Sequence, residues 1–209
     1  MLPSDTQNTM ATAIAPDALV TLICHHSGRV TREELHAAGF ADALIDAWEH
    51  QAVVTRDPSG RFQLASPDVY VDWLIQAHWD IPDGIIGHLT ALEYHGLSVA
   101  WLRQVDVGVR RLPLPSASAR VSPFHVPEAL WDFGVEHVTP TLPGAVTILM
   151  YAPAVALAQV LADHNVDLES ATDALARYLS EHEVDGALRE AATCYAVSER
   201  LQQFVRATA

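Results

Sequence analysis

Apolar residues recur every three or four positions in three short segments near the start of the chain, the spacing of helices with one buried face. The first helix is predicted over residues 16–28. The second opens on Thr31 with Glu34 three residues later, a pair that predicts a capping box. The third is predicted in "FADALIDAWEHQ", where the residues expected to turn inward are Leu44, Ile45 and Trp48.

Two short runs of β-forming residues follow in "AVVTRDPSGRFQLA", on either side of a Pro-Ser-Gly turn that indicates a hairpin. Three helices and a hairpin predict a winged helix-turn-helix over residues 16–66, preceded by a flexible tail over residues 1–15. The tail lacks a basic start, and Pro16-Asp17 interrupts its short apolar run. We therefore expect neither a signal peptide nor a membrane span.

The pattern changes after Ser66, and a second domain is predicted over residues 67–209. Helices are expected in "PDVYVDWLIQAHW" and "GIIGHLTALEYHGL". Val105, Val107 and Val109 alternate with other residues, as in a half-buried strand. Further strands are expected in "RVSPFHV" and on both sides of Pro-Gly in "VEHVTPTLPGAVTILMY".

From Pro153 onward the pattern is helical again. Asp167 is the expected N-cap of a helix whose apolar stripe consists of Leu168, Ala171, Leu175, Tyr178 and Leu179. The predicted fold class is therefore α+β: a winged helix-turn-helix, then a domain with a small sheet and a C-terminal helical bundle.

The composition is that of a folded and strongly acidic protein. Half of the 209 residues are hydrophobic, 18% are charged and the formal net charge is -14. A chain this acidic has no general attraction for phosphate, so any contact with nucleic acid must depend on a local patch. Cys24 and Cys194 are far apart and show no CxxC spacing, which favours a reducing, cytosolic compartment.

The third predicted helix carries carboxylates where a DNA-reading helix usually carries basic residues. Asp42, Asp46 and Glu49 share one face, opposite the apolar stripe. A solvated acidic face accounts for them, whereas a role in reading bases would require contacts with cytosine N4. The residues predicted to contact DNA phosphates are arginines beside the helix-turn-helix and around the wing: Arg29, Arg32, Arg56 and Arg61. Ordinary surface arginines are the alternative.

A second group of arginines falls in a segment whose only acidic residue is Asp106. Its members are Arg103, Arg110, Arg111 and Arg120. They predict a patch that binds a partner or nucleic acid; the alternative is loop arginines paired with the protein's own carboxylates.

The motifs of enzymes and metal sites are not expected here. His88 and His95 are seven residues apart, ~10.5 Å along a helix, which is too far for one ion. No nucleophile elbow, Walker loop, HExxH or paired-carboxylate motif occurs. We therefore predict no enzymatic activity, no metal and no cofactor.

Three stretches, in this order, resemble conserved blocks of the AbiEi-type antitoxins of type IV toxin–antitoxin systems. They are "GIIGHLTALEYHGL", "VTILMYAPAVALAQVLADHNVDLESATDALARYL" and "AATCYAVSERLQQFV", and the likeness covers roughly Ala18 to Ala207. The chain departs from the family pattern at Ala156 and Gln159, where the family has Thr and Asp, and at His164, where Arg is frequent. These exchanges suggest an ion pair replaced by neutral packing, and antitoxin activity that depended on those side chains would be affected.

The resemblance implies an antitoxin that also represses its own operon. The winged helix would bind operator DNA weakly or cooperatively. The C-terminal domain would counter a nucleotidyltransferase-like toxin without forming a stable complex with it. The acidic third helix favours an alternative function: a protein-interaction module whose winged helix does not bind DNA and docks a protein through its acidic face.

Overall fold

The computed structural model describes residues 15–67, 71–99, 103–113, 119–140, 146–182 and 184–208. The predicted tail, apart from Ala15, lies outside these residues. The chain divides into two compact units: the first runs to Asp72 and includes Val146, and the second begins at Trp73. The sequence pattern placed the boundary at Ser66–Pro67.

The first unit contains three helices followed by a two-stranded sheet. Its elements are α1 (Asp17–His25), α2 (Arg32–Ala37), α3 (Asp42–His50), β1 (Val54–Arg56) and β2 (Phe62–Leu64). The strands are antiparallel, with Val54 opposite Leu64. A bridge between Val30 and Phe62 ties the segment before α2 to the hairpin. This is the arrangement of a winged helix-turn-helix, as predicted.

Local signals account for the way these helices begin and pack. The predicted capping box is present: the Glu34 amide donates to Thr31 Oγ1 at 3.1 Å, and the Thr31 amide donates to Glu34 Oε2 at 2.7 Å. Ile45 and Trp48 are buried, but the prediction for Leu44 was wrong, because its side chain is 42% exposed. Leu44 lies about 70° around the helix from the midline between Ile45 and Trp48, at the edge of the buried face.

The second unit contains a five-stranded sheet and most of the helices. Its elements are α4 (Trp73–Asp80), β3 (Ile85–Ile86), α5 (His88–Tyr94), β4 (Val105–Val109), β5 (Val121–His125), a 3₁₀ turn (Glu128–Leu130), β6 (Val135–Val138), β7 (Ile148–Tyr151), α6 (Pro153–Ala162), α7 (Leu168–Glu181), α8 (Gly186–Cys194) and α9 (Ser198–Thr208). The predicted α+β class is confirmed.

The strand order of this sheet is β5-β4-β3-β7-β6. The outer pairs are β4 with β5, which run parallel, and β6 with β7, which run antiparallel. The Pro-Gly predicted between β6 and β7 lies outside the described residues. Ile85 and Ile86 were predicted to be helical, but they form the central strand β3. Both are buried and β-branched, which suits a strand covered on both faces.

Helices α7 and α8 pack on α6, whose side chains from Ala154 to Leu161 are all buried. Apart from Gln159, these side chains are apolar on every side of the helix, and such a helix belongs in a core. The predicted N-cap of α7 is confirmed, because the Ser170 amide donates to Asp167 Oδ1 at 2.8 Å. Leu168, predicted to be part of the buried stripe, is 63% exposed because the first turn of α7 borders an open groove. No helix among the described residues is long and apolar enough to cross a membrane.

Candidate nucleic-acid interface

Arg32 is the first residue of α2, directly after the capping residue, and its side chain extends to α3. Arg32 Nη1 lies 2.5 Å from Asp42 Oδ1, and Nη2 lies 2.7 Å from Asp46 Oδ1. The two aspartates are one helical turn apart, so a single planar guanidinium bridges both. The hydrogen bond from Arg32 is the main cause that lowers the pKa of Asp42. His36 Nε2 also lies 3.1 Å from Asp42 Oδ1.

Arg56, on the first strand of the wing, pairs with the remaining carboxylate of that helix face. Its Nε and Nη2 donate to the two oxygens of Glu49 at 2.7 and 2.9 Å, a two-point contact. These hydrogen bonds are the main cause that lowers the pKa of Glu49. The guanidinium of Arg56 also lies 4.6 Å from the ring centroid of Phe62, and that of Arg32 lies 5.4 Å from it. The ring fixes both arginines beside α3.

The tip of the wing is organised by Asp57. Its Oδ1 accepts hydrogen bonds from the Ser59 amide at 2.8 Å and from the Arg61 amide at 3.0 Å. Gly60 takes the left-handed conformation that the turn needs, with φ of 82°. Arg29 makes only a long contact with Asp57, 3.7 Å between Nε and Oδ2, and its side chain is 59% exposed. Arg61 has no ion pair with any carboxylate of the described residues.

These contacts change the electrostatic picture of the predicted DNA-binding surface. Three carboxylates on α3 meet two guanidiniums, so the cluster carries a net charge of -1 instead of -3. The acidic face is therefore largely neutralised, but two of the four arginines predicted to contact DNA are engaged in that neutralisation. Only Arg29 and Arg61 remain available without breaking a short ion pair. The sequence alone does not connect these carboxylates with the arginines, because the partners are 7 to 14 residues apart.

The arginines of the second unit do not form one patch. Arg103 and Arg120 precede the parallel strands β4 and β5, whereas Arg110 and Arg111 follow β4. A strand of five residues rises roughly 13 Å over its length, so the two pairs lie at opposite ends of the strand pair.

Two of these arginines already have partners within the second unit. Arg110 pairs with Glu128 at 2.7 Å and lies 4.6 Å from the ring centroid of Trp131. Arg120 donates a hydrogen bond to Gln76. The exposed Arg111 and Arg103 make no ion pair with any described residue.

The described residues contain no group of three or more His, Cys, Asp or Glu side chains that could hold a metal ion. His88 begins α5 and His95 caps its end. Burial lowers the pKa of both imidazoles.

No protein-family model matches the chain, and no curated protein matches it. Among solved structures, the chain is similar to the crystal structure of the Rv2827c protein from Mycobacterium tuberculosis. The two are 13% identical, and the match covers 94% of this chain and 83% of that chain with a TM-score of 0.37. A likeness this loose carries no information about function.

Proposed function

We propose that the protein is a non-enzymatic, cytoplasmic antitoxin and transcriptional autoregulator of a type IV toxin–antitoxin system. The first unit would bind operator DNA, and the second would counter a nucleotidyltransferase-like toxin. The resemblance to AbiEi-type antitoxins suggests this pairing of roles. The observation that carries the DNA-binding part is the winged helix-turn-helix itself, with Arg61, which has no ion pair among the described residues, at the tip of its wing.

The arrangement favours weak binding that depends on the DNA backbone. Arg61 on the wing and Arg29 beside the helix-turn-helix are exposed cations that can reach phosphates. Contacts of this type position a protein on DNA but carry no sequence information. The face of α3 offers paired carboxylates and arginines, so base reading would require its ion pairs to open. Weak or cooperative binding to an operator is consistent with this arrangement.

The salt-bridge network also supports a second candidate function. Arg32 and Arg56 are held by the protein's own carboxylates, which leaves a mixed-charge surface on α3. Surfaces with alternating charges suit complementary protein partners as well as DNA. The alternative is therefore a protein-interaction module in which the winged helix has no DNA target.

Fluorescence anisotropy on the protein's own promoter separates the two functions. We expect the wild type to bind at low salt and the variant Arg29→Ala/Arg61→Ala to bind much more weakly, because the two available phosphate contacts are removed. A matched control, Arg189→Ala/Arg206→Ala, removes two exposed arginines from the second unit and should bind as the wild type does. Absence of wild-type binding at low salt would contradict the DNA-binding role and favour the interaction module.

A further inference from the structure

The second unit contains a cavity that none of the expected roles uses. It has a volume of about 390 Å³ and lies among the start of α5, the end of β5, α6 and the end of α8. The side chains that matter for its chemistry are His88, Phe124, Gln159, Asp163, Cys194 and Tyr195. Cavities that hold small ligands typically measure roughly 300–1,000 Å³ and combine apolar walls with a few polar groups, so this one has a suitable size and lining.

Two stacked rings form one wall of the cavity. The ring centroids of His88 and Phe124 are 3.9 Å apart, with an angle of 16° between the planes. The absence of a side chain at Gly87 makes this possible, because a Cβ there would lie 2.6 Å from Phe124 Cζ and 2.7 Å from Gln159 Oε1. The wall therefore depends on a glycine directly before the histidine.

His88 is held in an unusual backbone conformation at this wall. Its φ is 49°, in the left-handed region that residues other than glycine rarely occupy. The His88 amide donates to Gln159 Oε1 at 3.1 Å, and Gln159 Nε2 donates to the Tyr195 hydroxyl at 3.0 Å. Gln159 is only 2% exposed, so this chain of hydrogen bonds is internal. Strained residues that are fixed by their surroundings tend to cluster at ligand sites.

The charge of the cavity comes from Asp163. Its Oδ2 lies 3.8 Å from His88 Nδ1, and its side chain is 26% exposed. Burial lowers the pKa of His88 to about 4, so the imidazole is neutral near pH 7 and does not compensate the carboxylate. The Asp163 Oδ1 atom accepts from the Asn165 amide at 2.8 Å. No arginine among the described residues pairs with Asp163, although the chain places carboxylate–arginine pairs at many other positions.

We propose that this cavity binds a single guanidinium or ammonium group, supplied by a free amine or by the tip of an arginine or lysine side chain of a partner. The Asp163 carboxylate would receive the cation's hydrogen bonds, and the aromatic wall would attract it through a ring face that the stack leaves uncovered. This binding does not depend on the proposed antitoxin or DNA-binding roles.

The two cysteines provide a direct assay. Cys194 is exposed at the cavity, whereas Cys24 is buried and burial raises its pKa to about 11. Iodoacetamide should therefore alkylate Cys194 selectively, and a ligand in the cavity should slow that reaction. The rate is measured by intact-mass spectrometry of the full chain with increasing agmatine, a small guanidinium amine. About 0.3 M NaCl suppresses general attraction to this acidic protein.

We expect agmatine to protect Cys194 with saturation, and the uncharged butylurea, which has neither the guanidinium nor the ammonium group of agmatine, to give no protection. Asp163→Asn keeps the acceptor used by Asn165 but removes the charge. It should raise the half-protecting concentration by about 10- to 100-fold, the range for loss of a charge-assisted hydrogen bond. The control Glu169→Gln removes an exposed carboxylate outside the cavity and should leave the half-protecting concentration unchanged. For each variant, the alkylation rate with agmatine is compared with the rate of the same variant without agmatine, so that changes in the reactivity of the thiol cancel.

A second variant, Phe124→Leu, keeps an apolar side chain but removes the ring, and should also weaken protection. Equal protection by butylurea, or unchanged protection in both Asp163→Asn and Phe124→Leu, would overturn the proposal. The source of the cation is distinguished with a short peptide containing one arginine. Protection by agmatine but not by the peptide indicates a free amine, and protection by the peptide indicates a partner's side chain. If neither agmatine nor the peptide protects Cys194 at about 10 mM, the proposal is also overturned, because that concentration is a generous limit for ligands this small.

Discussion

The ion pairs on α3 lead to a quantitative prediction about how DNA binding responds to salt. Each phosphate contact changes the slope of log K against log salt by about -0.9. With Arg32 and Arg56 held by carboxylates, Arg29 and Arg61 are the two of the four predicted arginines that can contribute. The wild type should therefore show a slope of about -1.8, half of the value of about -3.6 that four free arginines would give.

Removing the carboxylates should release the arginines one at a time. Asp42→Asn/Asp46→Asn frees Arg32 and should change the slope to about -2.7. Adding Glu49→Gln frees Arg56 as well and should change it to about -3.6. Between 50 and 200 mM salt, affinity would then fall by about 12-fold in the wild type, about 40-fold in the double variant and about 150-fold in the triple variant.

Anisotropy titrations of the three proteins on the same promoter fragment test this series. The control is Asp17→Asn/Glu33→Gln, which removes two exposed charges that hold no arginine in the described part of the chain. The affinity of this control for DNA should rise slightly, because two negative charges are removed. Its slope of log K against log salt should remain that of the wild type. A wild-type slope near -3.6 that the substitutions leave unchanged would show that phosphates displace the carboxylates freely, and that the ion pairs do not hold Arg32 and Arg56 back from DNA.

Three other predictions concern the second unit. Burial raises the pKa of Asp106 to about 6, so the folded state holds this proton more tightly than the unfolded chain does. The free energy of unfolding gains roughly 3 kcal/mol from this proton below about pH 4, and the gain is lost as pH rises through about 6. Urea titrations at several pH values should show this loss for the wild type but not for Asp106→Asn. Gly87→Ala should lower the thermal midpoint, measured by circular dichroism, because its methyl group would collide with Phe124 and Gln159; Gly186→Ala, where a Cβ meets nothing within 4 Å, is the control. A fragment of residues 71–209 should remain folded by circular dichroism, and an unfolded fragment would contradict an independent second unit.

The parts of the fold that were predictable from sequence are those set by local interactions. The capping box of Thr31 and Glu34 and the Pro-Ser-Gly turn of the wing are each determined within a few residues, and both appear as expected. Ile85 and Ile86 were assigned to a helix because a two-residue strand has no periodicity of its own. These two residues form a strand because β4 and β7 pair with them on either side.

The candidate sites were less predictable, because they depend on contacts between distant segments. Asp42, Asp46 and Glu49 were correctly grouped on one helix face, since helical spacing is local. Their partners Arg32 and Arg56 come from other elements, and no spacing rule connects them. The cavity near His88 combines residues from four separate segments, so only the folded chain brings its aromatic wall to its carboxylate.

The antitoxin role is tested most directly by growth. Cells that produce the nucleotidyltransferase-like protein expected from the neighbouring gene are supplied with the full chain, with residues 71–209, with residues 1–72 or with no antitoxin, and growth is followed after induction. We expect rescue by the full chain and by residues 71–209, and no rescue by residues 1–72. Absence of rescue by the full chain, or rescue by residues 1–72 alone, would contradict the antitoxin role.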